Sequence, residues 1–179
     1  MSENLLTPEF RVSFPSLFKA TRFNEASEAK FSVTMLFPKD ADLTELKKEA
    51  AQVAKEKWGD KVPKGLKTPF RDQGDFDHEG YENGAVFIRA SSKQRPGVVD
   101  KKVQSIVDDS EVYPGCYARA TIRAYAFDVP GNKGVAFGLQ NFQKLRDGDP
   151  ISGRSKPEDD FSPVSDGEVA GESADSLFD

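Results

Sequence analysis

Residues 116–127 separate two kinds of side chain by strict alternation. One set is Cys116, Ala118, Ala120, Ile122, Ala124 and Ala126; the other is Tyr117, Arg119, Thr121, Arg123, Tyr125 and Phe127. Successive side chains of a β-strand leave opposite faces, so the two sets stay apart unless a bulge intervenes. The small apolar face fits the interior of a tightly curved, close-packed barrel. The other face carries three aromatic rings and two guanidinium groups. Turned to solvent, it is a surface on which bases stack while guanidinium groups meet phosphates. Turned under a helix, the rings become core and the arginines need acids beside them. Periodicity alone leaves both open.

The remaining elements point to a small β architecture. Residues 10–18 alternate as Phe10, Val12 and Phe14 against Arg11 and Ser13, a half-buried strand broken at Pro15. Residues 31–37 repeat the pattern, with Phe31, Val33, Met35 and Phe37 opposite Ser32 and Thr34. Asp42 followed by Glu45 reads as a helix start, Leu43, Leu46, Ala50, Val53 and Ala54 form its apolar stripe, and Gly59 ends it after Trp58. The spacing therefore predicts a helix over 42–58. Residues 60–84 are rich in Gly, Pro and charge, a long loop with at most a short strand near 68–71. A loop of that length is functional or disordered. Strands follow from Gly84, at Val98–Val99, at Val103–Val107, at 116–128 and at 135–145, with turns at 94–97 and 129–134. Five or more strands, one helix and no βα alternation describe a small barrel or sandwich.

Charge divides the chain. Residues 157–179 hold eight acids, no Lys or Arg, and close on Ser-Leu-Phe-Asp. So few large apolar groups cannot offset the roughly 1–2 kcal/mol per residue of backbone ordering. The expected organisation is one domain over 1–156 and a disordered acidic tail over 157–179. The whole chain, with 25 basic and 30 acidic residues, is −5; without the eight tail acids the body is +3. A mildly basic body tethered to an anionic tail carries its own competitor for a polyanion. The single Cys116 excludes an internal disulfide framework and fits a reducing compartment. No long apolar run and no basic-then-apolar N-terminus is present, so neither secretion by a standard signal nor membrane insertion is expected.

Catalytic chemistry has little support. The run from Asp75 to Gly80 resembles the start of a calcium loop, but the closing glutamate position holds Val86. Asp72, Asp75, Asp77 and Glu79 could hold Mg²⁺ in a nuclease-like site, although a solvated acidic loop explains them more simply. His78 and Cys116 are each the only residue of their type, too few for a four-ligand zinc site. No cofactor or metal is expected. Basic residues recur instead beside strand ends, as Arg89, Lys93, Arg95, Lys101 and Lys102, and Phe70, Arg71, Phe76 and Tyr81 mix rings with a cation on the long loop. Such interleaving is commoner in single-strand binders than in cores.

Three blocks carry a family resemblance. They are Gly84-Ala-Val-Phe-Ile-Arg-Ala-Ser-Ser with Arg95-Pro-Gly-Val-Val-Asp100; Tyr113-Pro-Gly-Cys-Tyr-Ala-Arg-Ala; and Gly134-Val-Ala-Phe-Gly-Leu-Gln-Asn-Phe-Gln-Lys with Asp147-Gly148. In this order, over about residues 8–155, the chain resembles phage-type single-stranded-DNA-binding proteins. The resemblance implies an OB-fold Greek-key barrel, binding of single-stranded DNA without sequence preference, and a role in phage DNA replication or recombination in the host cytoplasm. It also implies that the acidic terminus, with Asp175, Leu177, Phe178 and Asp179 at its tip, docks on replication or recombination proteins; a homodimer is compatible with it. One departure stands out: the helix follows the second strand, whereas an OB barrel places it between the third and fourth. Tyr117, Arg119, Arg123, Tyr125 and Phe127 are the expected central platform. Arg89, Lys93, Arg95, Lys101 and Lys102 would form the electrostatic margin, and Phe70, Arg71, Phe76 and Tyr81 would add contacts from the loop. The rival readings are a Mg²⁺-dependent nuclease and a structural virion or interaction protein.

Overall fold

The computed structural model describes residues 4–22, 25, 28–76, 80–151 and 161–164. Its elements in chain order are β1 (Leu5–Leu6), β2 (Phe10–Thr21), β3 (Lys30–Leu36), α1 (Thr44–Trp58), β4 (Arg71–Asp72), β5 (Val86–Ser92), β6 (Gly97–Val99), β7 (Tyr117–Val129) and β8 (Asn132–Arg146). Five strands form a closed ring. β2 lies antiparallel to β3 and, at its first residues, to β7; β3 is antiparallel to β5, and β7 to β8. A short parallel contact between β5 and β8 closes the circuit. This is the Greek-key closure of an OB barrel. β1, β4 and β6 are short additions to β7, β5 and β8.

The alternation of β7 survives intact. Cys116, Ala118, Ala120, Ile122 and Ala124 are all buried, and the ring-and-guanidinium side points out of the barrel. The reason lies in the partner strand. The β7–β8 register jumps twice, at Tyr117/Ala118 and Thr121/Ile122, and each extra residue falls on β8. At the second jump Gln140 and Asn141 are both exposed, so β8 absorbs the bulge and β7 keeps its period of two. The small residues of β7 leave room for large ones opposite. Phe10 packs edge-on against Phe37 at 5.7 Å and against Phe142 at 6.2 Å between centroids.

α1 buries Leu46, Ala50, Val53 and Ala54 against β7 and β8, with Leu43 just before it. It starts two residues later than Asp42, whose carboxylate accepts the Thr44 amide at 3.0 Å. Gly59 ends it with φ +59°, donating its amide to the Lys55 carbonyl at 2.7 Å. The helix occupies the β3–β5 connection, between the second and third barrel strands. The departure visible in the sequence order is thus a real elaboration of this barrel.

Two strand expectations are corrected. β2 continues through Pro15 and is interrupted by a bulge between Ser13 and Ser16, where Phe14 adopts φ +43°. Phe14 therefore leaves the Phe10/Val12 face and is 60% exposed. Residues 103–107 are not a strand. The Asp100 carboxylate accepts the amides of Lys102 and Gln104 and winds the chain into a turn, leaving Val103 and Val107 exposed while Ile106 is buried.

The loop from 60 to 84 is organised where it is described. Asp72 caps a single 3₁₀ turn over 73–75, accepting the amides of Gly74 at 2.7 Å and Gly84 at 3.1 Å. Buried Gln73 donates to the carbonyls of Phe37 and Val86 and accepts the Glu82 amide. Asp77, His78 and Glu79 lie outside the described residues; among the described ones no three His, Cys, Asp or Glu side chains come together. Of the acidic tail only residues 161–164 are described, and they are exposed; Asp175, Leu177, Phe178 and Asp179 lie outside. Among the described residues no helix is long and apolar enough to cross a membrane.

Candidate nucleic-acid interface

The outer surface of the barrel is built in rows by strand pairing. Ser13, Thr34 and Arg89 form one row across β2, β3 and β5. On the other side Gly138, Ala136 and Gly134 of β8 lie opposite Arg123, Tyr125 and Phe127 of β7. β5 and β8 are paired only at Ala90–Phe137 and Ser91–Gly138. Where they part, Lys67 takes the place beside Gly134, exchanging backbone hydrogen bonds with Lys133 and Val135. A groove of about 500 Å³ occupies the gap.

Five rings reach this groove, from Phe14, Phe76, Tyr81, Phe87 and Phe127, together with the cations Lys67, Arg71 and Arg89. Phe87 is the buried centre of an aromatic cluster, 5.2 Å from Phe76 and 6.0 Å from Tyr81 between centroids. The Arg71 guanidinium lies over two of these rings, 5.1 Å from the Phe76 centroid and 5.5 Å from that of Phe87. Burial raises the pKa of the Tyr81 hydroxyl, against the opposing pull of its 2.9 Å hydrogen bond with Ser13, so the phenol is neutral at ordinary pH. Among the described residues no carboxylate forms an ion pair with Lys67, Arg71 or Arg89. Glycine makes the far wall feasible. A Cβ on Gly134 would stand 2.7 Å from the Phe127 ring and 2.6 Å from the Lys67 carbonyl. Flat π faces beside unpaired cations suit a ligand made of planar rings joined by anions.

The expected site residues fall into separate places. Arg71, Phe76, Tyr81, Arg89 and Phe127 line the groove. Tyr125, 42% exposed, and exposed Arg123 stand beside it on β7. Arg119 lies further along β7, donating to the Gln143 side chain at 2.7 Å; Gln143 in turn reaches the Asp100 carbonyl, so the exposed Lys101 and Lys102 turn sits near Arg119. Tyr117 is at the far end of β7, its ring covered by the Arg146 guanidinium at 3.8 Å. Lys93 pairs with Glu28 at 3.1 Å, and Arg95 lies 5.7 Å above the Phe18 ring. Phe70 turns onto the core, edge-on to Phe137 at 5.8 Å. Cys116 is buried, and that burial pushes its thiol pKa up.

Three groove residues escaped the sequence reading. Phe87 shares its strand face with Arg89, so the alternation of 86–92 already held that signal. Lys67 is visible only as one charge in a charged loop. Phe14 carried the opposite signal, because only the bulge before Ser16 turns it outward.

A family profile described as the ssDNA-binding protein of Enterobacter phage Enc34 matches residues 3–174. Protein p50 of Acyrthosiphon pisum secondary endosymbiont phage 1 is 32% identical over 155 residues, covering 80% of this chain and 83% of that protein. Among solved structures, the single-stranded DNA-binding protein from bacteriophage Enc34 in complex with ssDNA superposes with a TM-score of 0.72 at 23% identity, over 83% of this chain and 89% of that one. The single-stranded DNA binding protein gp2.5 encoded by bacteriophage T7 superposes with a TM-score of 0.63 at 14% identity, over 96% and 100%. At these identities the two structures speak for the fold alone: a mainly β, OB-like barrel.

Proposed function

The chain belongs to the family of the Enterobacter phage Enc34 ssDNA-binding protein, and on that premise we propose that it binds single-stranded DNA in the groove between β5 and β8. Bases stack on the exposed rings of Phe14 and Tyr125 and on the half-buried ring of Phe127, each worth about 1–3 kcal/mol and nearly indifferent to base identity. Lys67, Arg71, Arg89 and Arg123 meet the phosphates. The observation that carries this reading is the convergence of three cations, without ion-pair partners among the described residues, and five rings in one groove. Its place is phage DNA replication or recombination in the host cytoplasm, as a binder with no catalytic step of its own. The acidic segment 157–179 competes with DNA for the groove cations and, once displaced, offers Leu177, Phe178 and Asp179 to a replication or recombination protein.

A fluorescence-anisotropy titration with oligo-dT at two salt concentrations tests the core of this. Binding that weakens as salt rises is expected, since each phosphate contact releases counterions. No binding at low salt overturns it. Incubating labelled strands with Mg²⁺ should leave them uncut; cleavage would favour the nuclease reading built on the 72–79 carboxylates.

A further inference from the structure

Lys67 lines the groove, and the segment that joins it to the end of α1 carries three more lysines. Lys57, Lys61, Lys64 and Lys67 are all exposed, and Asp60 is the one acid from 57 to 67. Among the described residues none of the four lysines has an ion-pair partner. The segment is fastened at both ends. Gly59 and Lys61 donate to the carbonyls of Lys55 and Trp58, Lys67 is held to β8 through Lys133 and Val135, and Trp58 and Leu66 pack on the core. A backbone step spans at most about 3.5 Å, so Lys64 lies within about 10 Å of Lys67, and Lys61 within about 10 Å of Lys64.

We propose that Lys57, Lys61 and Lys64 form an exit track for single-stranded DNA, continuous with the groove at Lys67 and extending the bound strand beyond the barrel. The track contributes charge and no stacking, because the residues between its lysines are Gly, Pro, Val and Asp apart from the core-packed Trp58. It rests on the groove reading and predicts something that reading does not: dependence on strand length. A short oligonucleotide fills the groove and never meets the track. A longer one crosses both.

The test is Lys57→Gln/Lys61→Gln/Lys64→Gln in the full chain, titrated with oligo-dT of about 6 nucleotides, within the range one OB barrel holds, and of about 30. DNA is kept in excess so that one copy occupies each strand. Three lost single-strand phosphate contacts should lower the salt slope by about 2 on the long oligonucleotide, so that the parent's advantage over the variant shrinks about 20-fold between 50 and 200 mM salt. On the short one, parent and variant should match, which also certifies that the variant is folded. An unchanged slope on the long strand overturns the track, leaving an ordinary solvated lysine face. Equal losses on both lengths also overturn it, by placing these lysines inside the groove's own footprint. If the parent binds neither strand, the single-strand reading falls and the track with it.

Discussion

Phe14 holds a backbone conformation that a bulky residue avoids, φ +43°, and uses it to place an aromatic ring in solvent. Both features cost stability, on the order of 1–3 kcal/mol for the backbone alone. They coincide at a groove rimmed by Arg71 and Arg89, where an accessible ring has a use. Substitution by glycine separates the two effects, because glycine adopts positive φ without penalty. Phe14→Gly should therefore weaken oligo-dT binding by about 5- to 150-fold, the range for one lost stack. Its salt slope should stay unchanged, since stacking releases no counterions. Arg89→Ala should do the reverse, flattening the slope by about 0.7. Titrations at four salt concentrations distinguish these outcomes, and a Phe14→Gly variant that binds like the parent would remove Phe14 from the site. Arg89 was named from the sequence as a margin cation, but the outward turn of Phe14 was not legible there. The period of two that correctly sorts Cys116 to Phe127 misplaces Phe14, because Pro15 announces an interruption of the strand but not that it takes the form of a bulge turning Phe14 outward.

Elements explain why one strand was readable and another was not. β8 takes up both irregularities of the long hairpin, at exposed Gln140 and half-buried Leu145, so β7 reads cleanly. β2 must bend within its own length and carries its bulge itself. The glycine and alanine positions of β8 also set the groove wall. Gly134→Ala would force a methyl group into the Phe127 ring and the Lys67 carbonyl. Moving either one should lower Tm by a few degrees and weaken short oligo-dT binding, with the slope altered through Lys67; unchanged affinity would mean this wall is not part of the interface. Stability at the end of β8 has a separate control. Lys144 reaches Asp147 at 2.7 Å, and Asp147 also accepts from the Tyr113 hydroxyl at 2.9 Å. The bond from Lys144, then that from Tyr113, lowers the Asp147 pKa. A carboxyl depressed on folding stabilises at pH above its ordinary range, and that contribution fades as pH falls through the depressed value. Asp147→Asn should thus lower Tm slightly at neutral pH, by the equivalent of no more than about 1 kcal/mol for an exposed pair. The difference from the parent should vanish in acid; one that persists there would reveal lost packing instead.

At the scale of the whole molecule, charge is what joins the barrel to the segment beyond it. The chain is −5 overall, yet the body without residues 157–179 is +3, a sign change that local structure does not record. If those acids compete with DNA for Lys67, Arg71 and Arg89, deleting 157–179 should tighten oligo-dT binding at low salt by roughly tenfold, the lower end of what surface fields achieve. The gain should disappear as the Debye length shrinks from about 10 Å at 0.1 M to about 3 Å at 1 M. Deletion alone confuses charge with the apolar tip, so two finer variants are needed. Replacing the eight acids by their amides, with Leu177 and Phe178 kept, should reproduce the tightening. Removing only residues 177–179 should leave DNA affinity close to that of the parent and abolish capture of a replication or recombination protein. Were the short truncation to tighten DNA binding as much as the full deletion, the competitor would be the apolar tip seated in the groove, and the charge imbalance would matter for solubility alone.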